Sequence, residues 1–334
     1  MAVYTTIDDP EAYFQGKTYT GDGSTLSITL DGDTDMQPDL VWIKNRDQTD
    51  SNCLFDAVRG ATEVIKSNSN SAETTEADTL TSFDSDGFAL GADVKVNTDT
   101  EAYVAWCWKE SATAGFDIVS YTGNGTDDTD ISHNLSAVPK MIIVKNRDAA
   151  DAWQVYHGAN TAAPETEYLV LDTTAATADA ADRWSDEAPT SSVFTLGDAD
   201  EVNTDTEDYI AYCFAEKQGF SKFGSYTGNG NADGSFVYTG FKPAYVMSKR
   251  TDTSDGWRIL DTTRSTYNVA QNRLRADSSD AEVTASSQDK DFLSNGFKIR
   301  NTDGGYNADG GTYIYMAFAE SPFVNSNGVP TNAR

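Results

Sequence analysis

The residues with the most obvious chemical potential are acidic. Asp31, Asp33 and Asp35 alternate with Gly32 and Thr34, and Asp84 and Asp86 flank one serine ahead of Gly87. Clustered carboxylates in turns offer hard oxygens, the donor set that Ca²⁺ prefers. Asp127, Asp128 and Asp130 form a third cluster. None is an EF-hand loop: counting from Asp31, Met36 stands at the glycine position and Trp42 at the twelfth. A hydrated acidic surface explains the same residues. Calcium is therefore kept as a candidate at Asp31, Asp33, Asp35, Asp84 and Asp86, and no cofactor is assigned.

Other chemistries find less support. A nucleophilic triad needs a base, and the only histidines, His133 and His157, lie far from any Gly-x-Ser-x-Gly elbow, because the chain has none. Both read as turn or strand-edge residues. Glycoside hydrolysis needs two facing carboxylates, a spacing that 53 acidic residues must meet somewhere by chance. The Glu-x-Asp-x-x-Glu strand of sandwich glucanases is absent, since Thr79, Leu80 and Thr81 follow Glu76-Ala-Asp78. Cys53, Cys107 and Cys213 are too few for a disulfide framework or a zinc site. The reading is non-enzymatic.

These residues sit on a threefold pattern. An aromatic strand, Tyr103-Val-Ala-Trp-Cys-Trp-Lys-Glu110, returns from Tyr209 to Glu216 and from Tyr313 to Glu320. The slot of Cys107 and Cys213 holds Ala317 in the third copy, so it asks for a small apolar side chain. Each copy opens on Tyr-Thr-Gly-(Asp/Asn)-Gly, at Tyr19, Tyr121 and Tyr226, which predicts a hairpin turn. A proline-led apolar strand follows and ends in cations: Lys44 with Arg46, Lys145 with Arg147, Lys249 with Arg250. Nearby aspartates are their expected partners. A segment at Cys53–Asp56, Trp153–Tyr156 and Trp257–Asp261 comes next, then small polar loops and a turn–strand pair. An Asn-Thr-Asp stretch at Asn97, Asn203 and Asn301 leads back to the aromatic strand.

Helix signals are nearly absent, and many short strands with Gly, Asn and Asp turns predict an all-β chain. The expected architecture is three tandem jelly-roll or lectin-like β-sandwich domains. A lead-in covers residues 1–16 and packs on the first domain or a neighbouring subunit. The repeats span 17–112, 113–217 and 218–334, the last carrying a C-terminal tail, and the short joins predict a stiff array. A formal net charge of −29 argues against nucleic acid and anionic membrane surfaces, and suits a salty medium or bound divalent cations. No apolar run approaches a bilayer span, and the N-terminus carries no secretory signal.

The assembled motifs resemble a repeated domain of tailed-phage virion proteins frequent among phages of marine bacteria. The resemblance rests on Tyr-Thr-Gly-Asn-Gly, Gln37-Pro-Asp-Leu-Val-Trp-Ile-Lys-Asn-Arg46, Asp56-Ala-Val-Arg-Gly-Ala61, Thr81-Ser-Phe-Asp-Ser-Asp-Gly-Phe88, the aromatic strand, and the tail Ala319–Arg334. It covers residues 17 to 334. It implies a virion structural protein, a tail fibre or tail appendage that touches host-surface glycan beside other virion proteins. It carries no catalytic residues. The alternative is a capsid or tail decoration protein, and a polysaccharide depolymerase ranks third. A homo-oligomer, plausibly a trimer, is expected to form through domain surfaces.

Overall fold

The computed structural model describes residues 4–332, so the first three residues of the lead-in and Ala333 and Arg334 of the tail motif lie outside the described residues. The chain is all-β. One antiparallel strand order occurs three times. In the first unit the large sheet runs Phe14–Thr20, Ala102–Trp108, Leu40–Asn45, Cys53–Asp56, Gly60–Lys66 and Thr74–Thr75. A small sheet of Leu26–Thr29, Gly87–Leu90 and Leu80–Asp84 covers one face of it. The third unit repeats both sheets. The second keeps the large sheet but reduces the small one to Thr129–Ser132 paired with Val193–Leu196, with a short helix, Ala181–Trp184, earlier in the chain.

The aromatic strand is second in each large sheet, and its side chains alternate between two interiors. Tyr103, Ala105 and Cys107 face the first unit's own core. Val104, Trp106 and Trp108 face the other way, into a core shared by all three units. Ile210, Tyr212 and Phe214 join it from the second unit, and Tyr245, Met316 and Phe318 from the third. Tyr245 packs edge-on to both Trp106 and Trp108, with centroids 5.6 and 5.7 Å apart, and Phe318 meets Phe214 at 5.9 Å. The units therefore close round one another instead of standing in a row. Each such aromatic contributes about 1.5–3 kcal/mol by leaving water, so no unit would keep its large sheet dry alone.

The seams repeat cyclically. The backbone N–H of Glu73 donates to Arg147 O at 2.8 Å, that of Thr177 to Thr251 O at 3.0 Å, and that of Glu282 to Arg46 O at 2.8 Å. Each seam also takes one side-chain donor from an aromatic strand or its substitute. Tyr212 donates to Asp56 at 2.7 Å and Trp106 Nε1 to Asp261 at 3.0 Å. At the third seam, the one between the second and third units, the matching residue is Met316, which has no donor. The matching acceptor position holds His157, whose Nε2 donates to the Tyr315 carbonyl at 3.1 Å. His157 is 1% exposed, so its strand-edge reading is corrected: it is an interior seam residue. A second ring shows the same substitution. Trp153 and Trp257 reach carbonyls of Lys66 and Val170, and Asn52 stands in for them, bonding Arg275 O and Ser278 O. The Trp segments thus align with Asn52, one residue earlier than the sequence suggested.

Three further expectations need correction. The lead-in already contains the start of a strand at Phe14; it packs on the first unit as expected, Asp9 accepting from Thr34 and Glu11 from Asp33 N. Its earlier part also reaches the third unit, where Thr5 Oγ1 donates to Gln218 O and Tyr4 OH to Gly240 O, both at 2.8 Å. The Tyr-Thr-Gly-Asp-Gly turn is no hairpin. It carries the chain from the large sheet to the small one, because Phe14–Thr20 pairs with Ala102–Trp108 while Leu26–Thr29 pairs with Gly87–Leu90. A Cβ at Gly21 would collide with the Thr98 carbonyl, and Gly23 has φ +67°. Finally, the third asparagine of the set is Asn307, not Asn301, for Asn307 Oδ1 accepts from Asn229 N as Asn97 Oδ1 does from Asp22 N and Asn203 Oδ1 from Asn124 N.

Asn97 is fully buried, and its amide also donates to Gly91 O and Ser24 O. Asn97→Ala strips partners from three buried or half-buried backbone groups. We expect it to lower the stability by roughly 2–3 kcal/mol, read as a lower urea midpoint at unchanged slope.

Candidate functional site

The acidic clusters scatter in the folded chain. Asp31 pairs with Lys17 at 2.5 Å and stays largely in water. The backbone N–H of Asp33 donates to Glu11, Asp84 accepts from the Ser82 hydroxyl, and Asp86 accepts from Met36 N. Asp35 is exposed. Among the described residues no group of three or more His, Cys, Asp or Glu is arranged to hold a metal ion. Asp31 does line a cleft of about 190 Å³ with Glu11, Glu320 and Thr263, where the first and third units meet. Burial there raises the Glu11 carboxyl above its ordinary pKa.

The strand-end cations do not act as expected. Lys44, Lys145 and Lys249 are fully buried and donate to backbone carbonyls: Asn45 and Gln48, Asn146 and Ala149, Arg250 and Thr174. Burial pushes each amine down to about 8. The arginines reach across seams to glutamates, Arg147 to Glu73 and Arg46 to Glu282. Only Arg250 takes a nearby aspartate, Asp252. These cations hold corners and seams together, and no anionic ligand is needed to satisfy them.

The cysteines are free and buried, with Cys53 pushed up to about 12 by burial, so none is poised as a thiolate. His133 is 6% exposed and bonds the Thr190 carbonyl. A carboxyl pair escaped sequence reasoning: Glu110 and Asp117 meet at the corner between the first two units. Burial and a hydrogen bond with Asp117 push Glu110 up to about 7. Asp117 is 3% exposed and accepts from Asn134 N at 2.7 Å, so its carboxylate is held inside the corner. Nothing in the sequence marked it, because the two residues fall on opposite sides of a unit boundary.

The surface that departs from the pattern belongs to the third unit. The outer face of its small sheet carries Phe236 and Tyr238, 47% and 52% exposed, on either side of inward Val237. The corresponding outward residues are Ser27 and Thr29 in the first unit and Asp130 and Ser132 in the second. Along the opposite edge run Tyr267, 80% exposed, and Val269, fixed by Asn268, whose amide bonds both Phe292 N and Phe292 O. Tyr4 caps one end, its hydroxyl 3.2 Å from that of Tyr238. This exposed apolar set has no counterpart on the equivalent faces of the other two units. Aromatic faces beside hydroxyls suit the C–H face and polar rim of a sugar ring.

Residues 9–322, which include all three units, match the model of DUF7483, a domain of unknown function, and the chain belongs to that family. No curated protein matches the chain.

Proposed function

We propose that this member of the DUF7483 family is a non-enzymatic structural and recognition protein of a phage virion, a tail-fibre or tail-appendage subunit that contacts host-surface glycan. One observation carries the recognition part: only the third unit presents aromatic side chains on the outer face of its small sheet, where the other two present Ser, Thr and Asp. The virion assignment rests on the sequence resemblance. The closed ring of three units supports a load-bearing role, because each large sheet is buried by its neighbours. One chain already supplies three units, so a fibre role does not demand three chains.

Two measurements test the reading. Antibody against the chain should label tail appendages of an intact particle, a few to a few dozen copies each; labelling over the head in hundreds of copies would replace the fibre role with decoration. For recognition, Phe236→Ala and Tyr267→Ala should each weaken binding to host-envelope polysaccharide by about ten-fold, at roughly 1–2 kcal/mol per stacked ring, with the melting temperature little changed. Equal binding by both variants would remove the aromatic face from the account.

A further inference from the structure

The interior of the third unit differs in kind from that of the first. By strand register, five buried apolar positions of the first unit, Ile43, Cys53, Val64, Leu80 and Val96, become Ser248, Arg258, Arg273, Lys290 and Tyr306. Arg258 is paired, with Asp255 at 2.9 Å and Asp303 at 2.7 Å. Lys290 and Arg273 have no ion pair among the described residues. The Tyr306 ring lies between two of the cations, 4.8 Å from the Arg258 guanidinium and 5.1 Å from Lys290 Nζ. Gly305 makes room: a Cβ there would collide with that guanidinium.

Two buried donors in this cluster, Lys290 Nζ and Arg273 Nε, lack a partner, and the Tyr306 and Ser248 hydroxyls have only poorly aligned ones in Arg258 and Tyr226. All four can donate. Leaving such donors unpaired is costly, and the first unit's apolar set avoids that cost. Among the described residues Lys290 is a wholly buried cation with no carboxylate paired to it, and half-buried Arg273 has only Asp280 as an opposite charge acting on it. A cleft opens on the surface next to this cluster. Ser286, Ser287 and Asp289 form one wall of a cleft of about 470 Å³, with Arg300 and Asp303 on it. Between and beyond them Gln288 and Lys290 turn inward, 4% and 0% exposed.

We propose that the interior of the third unit is an anion-binding site, taking a small oxyanion through this cleft onto Lys290, Arg273 and the Tyr306 hydroxyl. The site is independent of the aromatic face and of the glycan reading. Burial and then Arg258 push the Lys290 amine down to about 7. The charged group acting on it is Arg258, and the Tyr306 and Phe297 rings lie 5.1 and 4.8 Å from the amine. An oxyanion beside the amine holds its proton, so binding strengthens below pH 7 and fades above it.

The test is thermal melting in sodium sulfate against sodium chloride at matched ionic strength, for wild type and Lys290→Leu, at pH 6 and pH 9. Leucine is the first unit's residue at this position, at Leu80. At pH 6 sulfate should raise the wild-type midpoint by several degrees more than that of the variant, and the difference should vanish at pH 9. Equal sulfate-minus-chloride shifts in both proteins at pH 6 would overturn the site. If Lys290→Leu does not fold, Arg273→Gln must show the same loss, and titration of wild type with sodium sulfate at pH 6 must give saturable heat; its absence overturns the proposal.

Discussion

Taking the protein from pH 6.5 to pH 4 is expected to destabilise wild type by on the order of 3 kcal/mol more than a His157→Gln variant. His157 is fully buried, and burial pushes its imidazole from 6.5 down to about 4. Its Nε2 must carry the proton, since a carbonyl can only accept, and its Nδ1 accepts from Ala159 N at 3.2 Å. Both nitrogens are committed in the neutral ring. The folded pKa lies below the unfolded one, so the unfolded chain takes up the proton first. The stability is fully present above 6.5 and is lost as the pH falls to about 4. No charged group adds appreciably to this shift; besides burial, only the backbone at Tyr315 and at His157 itself acts on the ring. Glutamine can reproduce both hydrogen bonds without titrating. Urea midpoints measured every half pH unit should therefore run parallel above pH 7 and diverge below 6. If the two curves stay parallel down to pH 4, the third seam is not acid-sensitive.

This seam shows where sequence reading stops. The aromatic strands were legible because alternating bulk and small residues recur at one spacing, and Met316 with Ala317 fitted that pattern. The pattern could not say that Trp106 and Tyr212 are chosen for a donor, nor that Met316 lacks one. That meaning appears only when the partner of each strand is known, since Asp261, Asp56 and His157 lie in other units. The sequence pattern points to Asn301 in place of Asn307 for a related reason: two asparagines six residues apart both precede a turn, and only the bond to Asn229 N separates them. The strand-end lysines misled because composition suggests that cations in an acidic chain pair with aspartate, whereas buried corners offer carbonyls. The aromatic face was visible as residues but not as a face. Phe236 and Tyr238 become one surface only once Val237 is known to point inward.

The largest single effect on stability should come from Arg59→Met. Arg59 and Asp56 are both wholly buried and meet at 2.5 Å, and Arg59 also holds Glu73 at 2.8 Å, which in turn takes Arg147 of the second unit. Removing the guanidinium leaves the Asp56 carboxylate inside the protein with only Tyr212 and the backbone N–H groups of Val58 and residue 59 as partners. Breaking a buried pair in this way costs about 3–5 kcal/mol. The loss should appear as a lower urea midpoint, and Arg264→Met at the matching Asp261–Glu282 network should behave alike. The third seam supplies the decisive comparison, because it closes without any of these charges. There His157, Asn160, Thr177, Thr251 and Met316 stand where the first seam has Asp56, Arg59, Glu73, Arg147 and Tyr212. Grafting that neutral set onto the first seam removes every desolvated ion together with its partner, and a matched replacement of this kind is often close to neutral. The five-fold graft should therefore be more stable than Arg59→Met alone. A graft less stable than the single variant would mean that the ion network contributes net stability of its own, and that the two kinds of seam are not interchangeable solutions to one packing problem.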